Sequence, residues 1–189
     1  MATTASPYGF VPVRKADGTP YSGARDAFLI TPAGVAQNIG YGSLVEINAG
    51  YVQLASGTGA DATTNNLGGN TIGGLGVFVG CEYINAEGQL IFNQYYPSGT
   101  ANATAYVVVD PGVTFQVQAD GAIAQAALGH NAPLTGAQNA TTSVNTATKA
   151  FKVIGFVTKT GSAIGDAKTD VLVKFNLPYH QFGTGIVGE

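Results

Sequence analysis

The feature that most limits the fold of this chain is its punctuation, because turn signals recur too often for a long helix to form. Asp17-Gly18, Ser22-Gly23, Asp110-Pro111-Gly112, Asp120-Gly121 and Thr160-Gly161-Ser162 each break the chain. Between such breaks lie short runs rich in β-branched and aromatic residues. Residues 43–48 and 51–54 flank Ala49-Gly50 and predict a hairpin. Residues 76–84 predict a mostly buried strand that turns at Asn85-Ala86-Glu87-Gly88 and returns over 89–95. Residues 105–109 predict another strand. In 113–119, Val113, Phe115 and Val117 alternate with Thr114, Gln116 and Gln118, the period of a half-buried antiparallel strand. Residues 151–159 and 170–176 predict the last two strands, and 122–128, stopped by Gly129, predict the one short helix. About seven or eight short strands imply an all-β fold, a compact antiparallel β-barrel or sandwich with a jelly-roll-like topology among the options and at most one short helix.

Three regions follow from the same pass. Residues 1–40 read as a mostly irregular N-terminal arm, because Pro7, Pro12, Pro20 and Pro32 interrupt them. Residues 41–180 read as the barrel or sandwich domain, and 181–189 as a flexible C-terminal tail. Residues 56–74 and 131–148, rich in Gly, Thr, Asn and Ala without periodicity, read as long loops, which are uncommon unless they contact something or are disordered.

Composition narrows the function classes. The 189 residues suffice for one domain with a real core. Charged residues make up only 10% of the chain, against a norm of about 25%. Either neutral polar side chains solubilise the surface, or neighbours cover much of it. The second reading matches the depletion of Lys, Glu and Asp in interface cores. A net charge of −3 gives no footprint for nucleic acid. No apolar run is long enough for a spanning helix, so no membrane partner is expected. Residues 1–10 lack the basic start and apolar stretch of a signal peptide. Cys81 stands alone, which fits a free thiol in a reducing compartment.

Catalytic and metal chemistry find little support. His130 and His180 are isolated, without ligand-spaced partners. Cys81 sits in an apolar strand and reads as a small buried hydrophobe. Gly183-Thr184-Gly185-Ile186-Val187-Gly188 has the letters of a dinucleotide fingerprint but lacks the following helix. Glu46 and Glu82 are the one pair of strand carboxylates that a glycosidase reading could use. Asp61 is a faint calcium candidate with a single carboxylate. No catalytic residue, cofactor or metal is therefore expected. Tyr95-Tyr96 before Pro97 is the densest aromatic pair and keeps a sugar platform in view.

Several segments together resemble a family of tailed-phage structural proteins found near the major capsid protein. They are Gly9-Phe10-Val11-Pro12-Val13-Arg14 and Gly18-Thr19-Pro20-Tyr21-Ser22-Gly23; Gly76-Val77-Phe78-Val79-Gly80-Cys81-Glu82-Tyr83; Phe92-Asn93-Gln94-Tyr95-Tyr96-Pro97-Ser98-Gly99-Thr100; Ala105-Tyr106-Val107-Val108-Val109-Asp110-Pro111; Phe115-Gln116-Val117-Gln118-Ala119-Asp120-Gly121; and Val171-Leu172-Val173-Lys174-Phe175. The resemblance covers most of the chain and carries no active site. It implies a head decoration or cement protein on the outer surface of the virion capsid, made in the bacterial cytoplasm, without enzymatic activity. The expected partners are the major capsid protein and further copies of the chain, as a homotrimer. The expected contacts to the capsid lie in the arm: Tyr8, Phe10, Val11, Val13, Arg14, Lys15, Tyr21, Arg25 and Phe28. A tail or baseplate component and a host-surface or glycan-binding protein are the competing readings.

Overall fold

A computed structural model describes residues 6–55, 74–132, 150–158, 162–177 and 180–182, and the backbone of 134–136 and 139–140. Most of the 56–74 loop, most of the 131–148 loop and the tail from 183 lie outside the described residues. So does Asp61 itself.

Fifteen strand segments are present among the described residues: β1 Val11–Arg14, β2 Asp26–Leu29, β3 Ile39–Gly40, β4 Leu44–Asn48, β5 Tyr51–Leu54, β6 Gly76–Ile84, β7 Leu90–Asn93, β8 Tyr95–Tyr96, β9 Thr104–Val108, β10 Thr114–Gln118, β11 Asn131–Ala132, β12 Leu134–Gly136, β13 Asn139–Ala140, β14 Phe151–Phe156 and β15 Asp170–Phe175. One sheet runs β1-β10-β15-β14-β11, and a second runs β2-β9-β6-β4-β5 with β7 also paired to β6. Both are antiparallel and neither closes on itself among the described residues, so the fold is sandwich-like and not a closed barrel. The predicted hairpin forms as β4 and β5, with Ala49 (φ 48°) and Gly50 (φ 80°) in the left-handed conformations its two-residue turn needs.

Between the sheets lies a core built from Phe115, Val117, Phe151, Val153, Val171, Val173 and Phe175 on one side and Leu44, Val77 and Val108 on the other. The second sheet also buries its opposite face. Val45, Val52, Phe78, Cys81, Ala105 and Val107 pack there under Ile30, Ile39 and Tyr96, which come from the β3–β8 ribbon and its neighbouring loops. Tyr96 is fully buried; its hydroxyl donates to the Thr100 carbonyl (2.8 Å) and accepts from the Val35 N–H (3.1 Å). Double coverage explains why β6 reads as a continuous apolar run: Val77 enters one core and Phe78 the other.

Two expectations are corrected. Residues 6–40, expected as part of a mostly irregular arm, are not a free arm: they supply an edge strand to each sheet, β1 against β10 and β2 against β9. Pro12 is compatible with this because an edge strand tolerates a residue without an N–H. Gly9 (φ 81°) crosses Gly42 so closely that a Cβ would sit 2.8 Å from its carbonyl oxygen. That crossing delivers Phe10 into the inter-sheet core, stacked on Phe151 at 4.7 Å. The helix expected over 122–128 is a single 3-10 turn, Gln125–Ala127, with no side-chain cap. Ile123 and Ala127 anchor it to the core, and packing rather than helix propensity sets its shape. Within the expected 131–148 loop, Asn131 and Ala132 pair with Lys152 and Phe151.

If Phe10 belongs to the core, Phe10→Ala will destabilise the chain by about 3–5 kcal/mol, the usual cost of emptying a buried aromatic site. Urea denaturation monitored by circular dichroism measures this; an unchanged midpoint would return residue 10 to a peripheral arm.

Candidate functional site

Strand register defines a face that the sandwich leaves bare. Leu29 pairs with Thr104, Thr104 with Glu82, and Glu82 with Phe92, so one row crosses four strands. Ile84 and Leu90 form the next row, and Ala27, Tyr106 and Gly80 form the row on the other side. Cross-strand partners point to one face of a sheet. This is the face whose other half, at Val77 and Val108, is covered by the first sheet. The nine residues of β6 reach about 30 Å, whereas the six residues of β14 and β15 reach about 20 Å. The second sheet therefore overhangs the first. On the overhang Leu29, Ile84, Leu90 and Phe92 are 61%, 66%, 57% and 65% exposed.

Polar groups sit in fixed places among them. The Arg25 guanidinium lies 4.2 Å from the centre of the Tyr106 ring, and the Tyr106 hydroxyl donates to Glu82 Oε2 at 2.7 Å. That hydrogen bond to the carboxylate raises the Tyr106 pKa. A hollow of about 200 Å³ opens beside these groups at Gly80, bounded by Arg25, Phe92, Asn93, Gln94 and Tyr106. A single β-bulge in β6, between Phe78 and Gly80, sets the phase of this face.

Of the nine expected contact residues, Arg25 alone lies in this cluster. Phe10 is fully buried, and Phe28 packs half-buried against the outer core. The Tyr8 hydroxyl donates to Asp170 Oδ1 (3.1 Å) and accepts from Gln116 Nε2 (3.0 Å), and burial raises its pKa. Tyr21 packs against the inter-sheet core and donates to the Ala24 carbonyl. Val11, Val13 and Arg14 lie on the edge strand β1, Val13 and Arg14 exposed, with Lys15 in the turn after it. Sequence reading missed Leu29, Ile84, Leu90 and Phe92. The available signal was the β6–β7 hairpin, where Tyr83 and Ile91 on one face and Ile84, Leu90 and Phe92 on the other are all apolar.

Other chemical candidates are drawn apart or sealed. Glu46 is buried and accepts from Gln53 Nε2 at 2.9 Å. The β4–β6 register places it on the order of 20 Å along the strands from Glu82, well beyond the separation of a glycosidase pair. Cys81 is buried, with its pKa pushed up to about 11 by burial. His130 uses its backbone, donating to Ala127 and accepting from Val153. Among the described residues, no group of three or more His, Cys, Asp or Glu is placed to hold a metal ion.

His180 belongs to a strap that crosses the second sheet. Residues 181 and 182, expected in a flexible tail, are held there. The Gln181 side chain accepts from the Ile47 N–H (2.7 Å) and donates to the Ile47 carbonyl (2.9 Å), continuing the β4 ladder with an amide. His180 is fully buried against Phe175, its Nδ1 accepting from the Phe182 N–H at 3.2 Å. Its Nε2 has no partner at hydrogen-bonding geometry among the described residues. Burial lowers its pKa, outweighing the Val109 and Leu75 carbonyls and Asp110, which favour the cation. A depressed folded-state pKa means that the contribution of neutral His180 to stability is complete above the unfolded value of about 6.5 and is lost as pH falls below it. The urea midpoint of the native chain will therefore fall between pH 7.5 and pH 5 more steeply than that of His180→Leu. Equal slopes would remove His180 as the cause.

No family model matches the chain, and no curated protein does. Among solved structures it is similar to the crystal structure of the bacteriophage phi29 gene product 12 C-terminal fragment, at 16% identity and a TM-score of 0.29, covering 79% of this chain and 99% of that one. A likeness this distant carries no argument about function.

Proposed function

We propose that this chain is a structural protein of a tailed-phage virion that coats the outside of the assembled head and stabilises its lattice by bridging neighbouring capsid subunits. The observation that carries the reading is the bare overhang: a chain whose charged share is 10% leaves four large apolar side chains on one sheet face. Exposed apolar patches on a charge-poor protein mark contact surfaces. The resemblance of its N-terminal and central segments to head-associated phage proteins supplies the setting.

Contact with the shell would not use a free arm, since residues 10–14 and 26–30 are built into the sandwich. The terminal strands β1 and β5 of the two sheets would instead take up a neighbouring chain by strand addition, at the positions of β1 that the Tyr21 N–H to Val13 carbonyl hydrogen bond leaves open. Many weak sites on one lattice act together, so a modest affinity at each site holds the coat in place. A glycan-binding role is the competing reading, favoured by the hollow beside Phe92, where an aromatic ring adjoins Arg25, Asn93 and Gln94.

Mixing the purified chain with expanded, undecorated heads of the phage that encodes it, followed by sedimentation, tests the proposal. Saturable binding and a raised disassembly temperature of the heads are expected. Binding to tails but not heads, or to a glycan array but to neither, would overturn it.

A further inference from the structure

We infer that the overhang of the second sheet docks face to face on the same overhang of a second copy, about a two-fold axis. The inference rests on the reading of the chain as an assembling structural protein and names the neighbour that covers the bare face.

Three observations select a second copy over a foreign partner. The first is shape. The face carries both protruding side chains (Ile84, Leu90 and Phe92) and, beside them, the hollow of about 200 Å³ at Gly80. A patch that carries both knobs and a hole meets the first requirement of a closed, isologous contact, in which each copy supplies the protrusion and the recess. The second is charge. Arg25 lines the hollow and Glu82 is the strand neighbour of Phe92, each held against Tyr106, so the patch contains both a cation and an anion and has no net preference for a charged partner. A half-turn sets the cation of one copy opposite the anion of the other. The third is area. The four side chains expose on the order of 500 Å² together, and their polar rim brings the patch toward the roughly 800 Å² that each partner buries in a stable complex. Large aromatic and aliphatic side chains at the centre of a patch, ringed by polar groups, are the usual anchors of such contacts.

Sedimentation equilibrium of the full chain over a range of concentrations reads the result. The native protein should show the mass of two chains. Phe92→Asp and Leu90→Lys should each show the mass of one, with unchanged circular dichroism and thermal midpoint, because both side chains are already exposed. Leu128→Lys, an exposed apolar change away from the face, should keep the two-chain mass. Arg25→Glu and Glu82→Arg should each weaken association by about ten-fold or more, and the double exchange should restore it. A one-chain mass at all concentrations would overturn the inference, as would a two-chain mass that the face variants do not move. A three-chain mass lost in the face variants would replace the two-fold contact with a three-fold one. Head binding abolished by Phe92→Asp in a chain that is already monomeric would give the face to the shell. In that last case the proposed role on the head survives, so the two failures are distinct.

Discussion

Every apolar face of a β-sheet has to be covered, and in this protein the second sheet is the place where that requirement is met unevenly. At one end it is buried on both sides, by the first sheet through Leu44, Val77 and Val108 and by the β3–β8 layer through Phe78, Val107 and Tyr96. At the other end the long strand β6 and its hairpin partner run past the first sheet, and one face stays bare. The rest of the architecture follows from how the chain reaches and fills the covered end. Gly9 and Gly42 permit the close crossing that sends Phe10 inward, and the strap at 180–182 closes the gap where β4 and β6 part.

Polar groups obey the same rule at a smaller scale. Gln181 replaces a missing strand by offering one amide to both backbone groups of Ile47. Tyr8 closes the outer side of the first sheet by joining Asp170 to Gln116. On the overhang, by contrast, Arg25, Tyr106 and Glu82 satisfy one another at the surface. They fix the outline of a face whose apolar centre has no internal partner among the described residues.

What could be read from the sequence was what is local. The β4–β5 hairpin was legible because its turn and both strands are contiguous. The inward positions of β10 were legible because Val113, Phe115 and Val117 alternate, and all three are buried. The roles of β1 and β2 were not, since their partners β10 and β9 lie far along the chain and Pro12 disguises an edge strand as an irregular segment. The bare face escaped for a related reason. Apolar residues on both faces of β6 and β7 say that two surfaces need cover, but which layer falls short depends on the relative lengths of two sheets. For the same reason the expected contact residues clustered in the N-terminal segment, whose aromatic residues the fold largely consumes itself.

Hydroxyl-radical footprinting of the free chain and of intact virions compares directly the surface that is bare alone with the surface that is covered in place. The account predicts strong labelling of Phe92, Leu90 and Tyr106 in the dilute chain and protection of all three in the particle, while Leu128 keeps a larger share of its labelling. Equal labelling of Phe92 and Leu90 in both states would contradict the claim that this face exists to be covered.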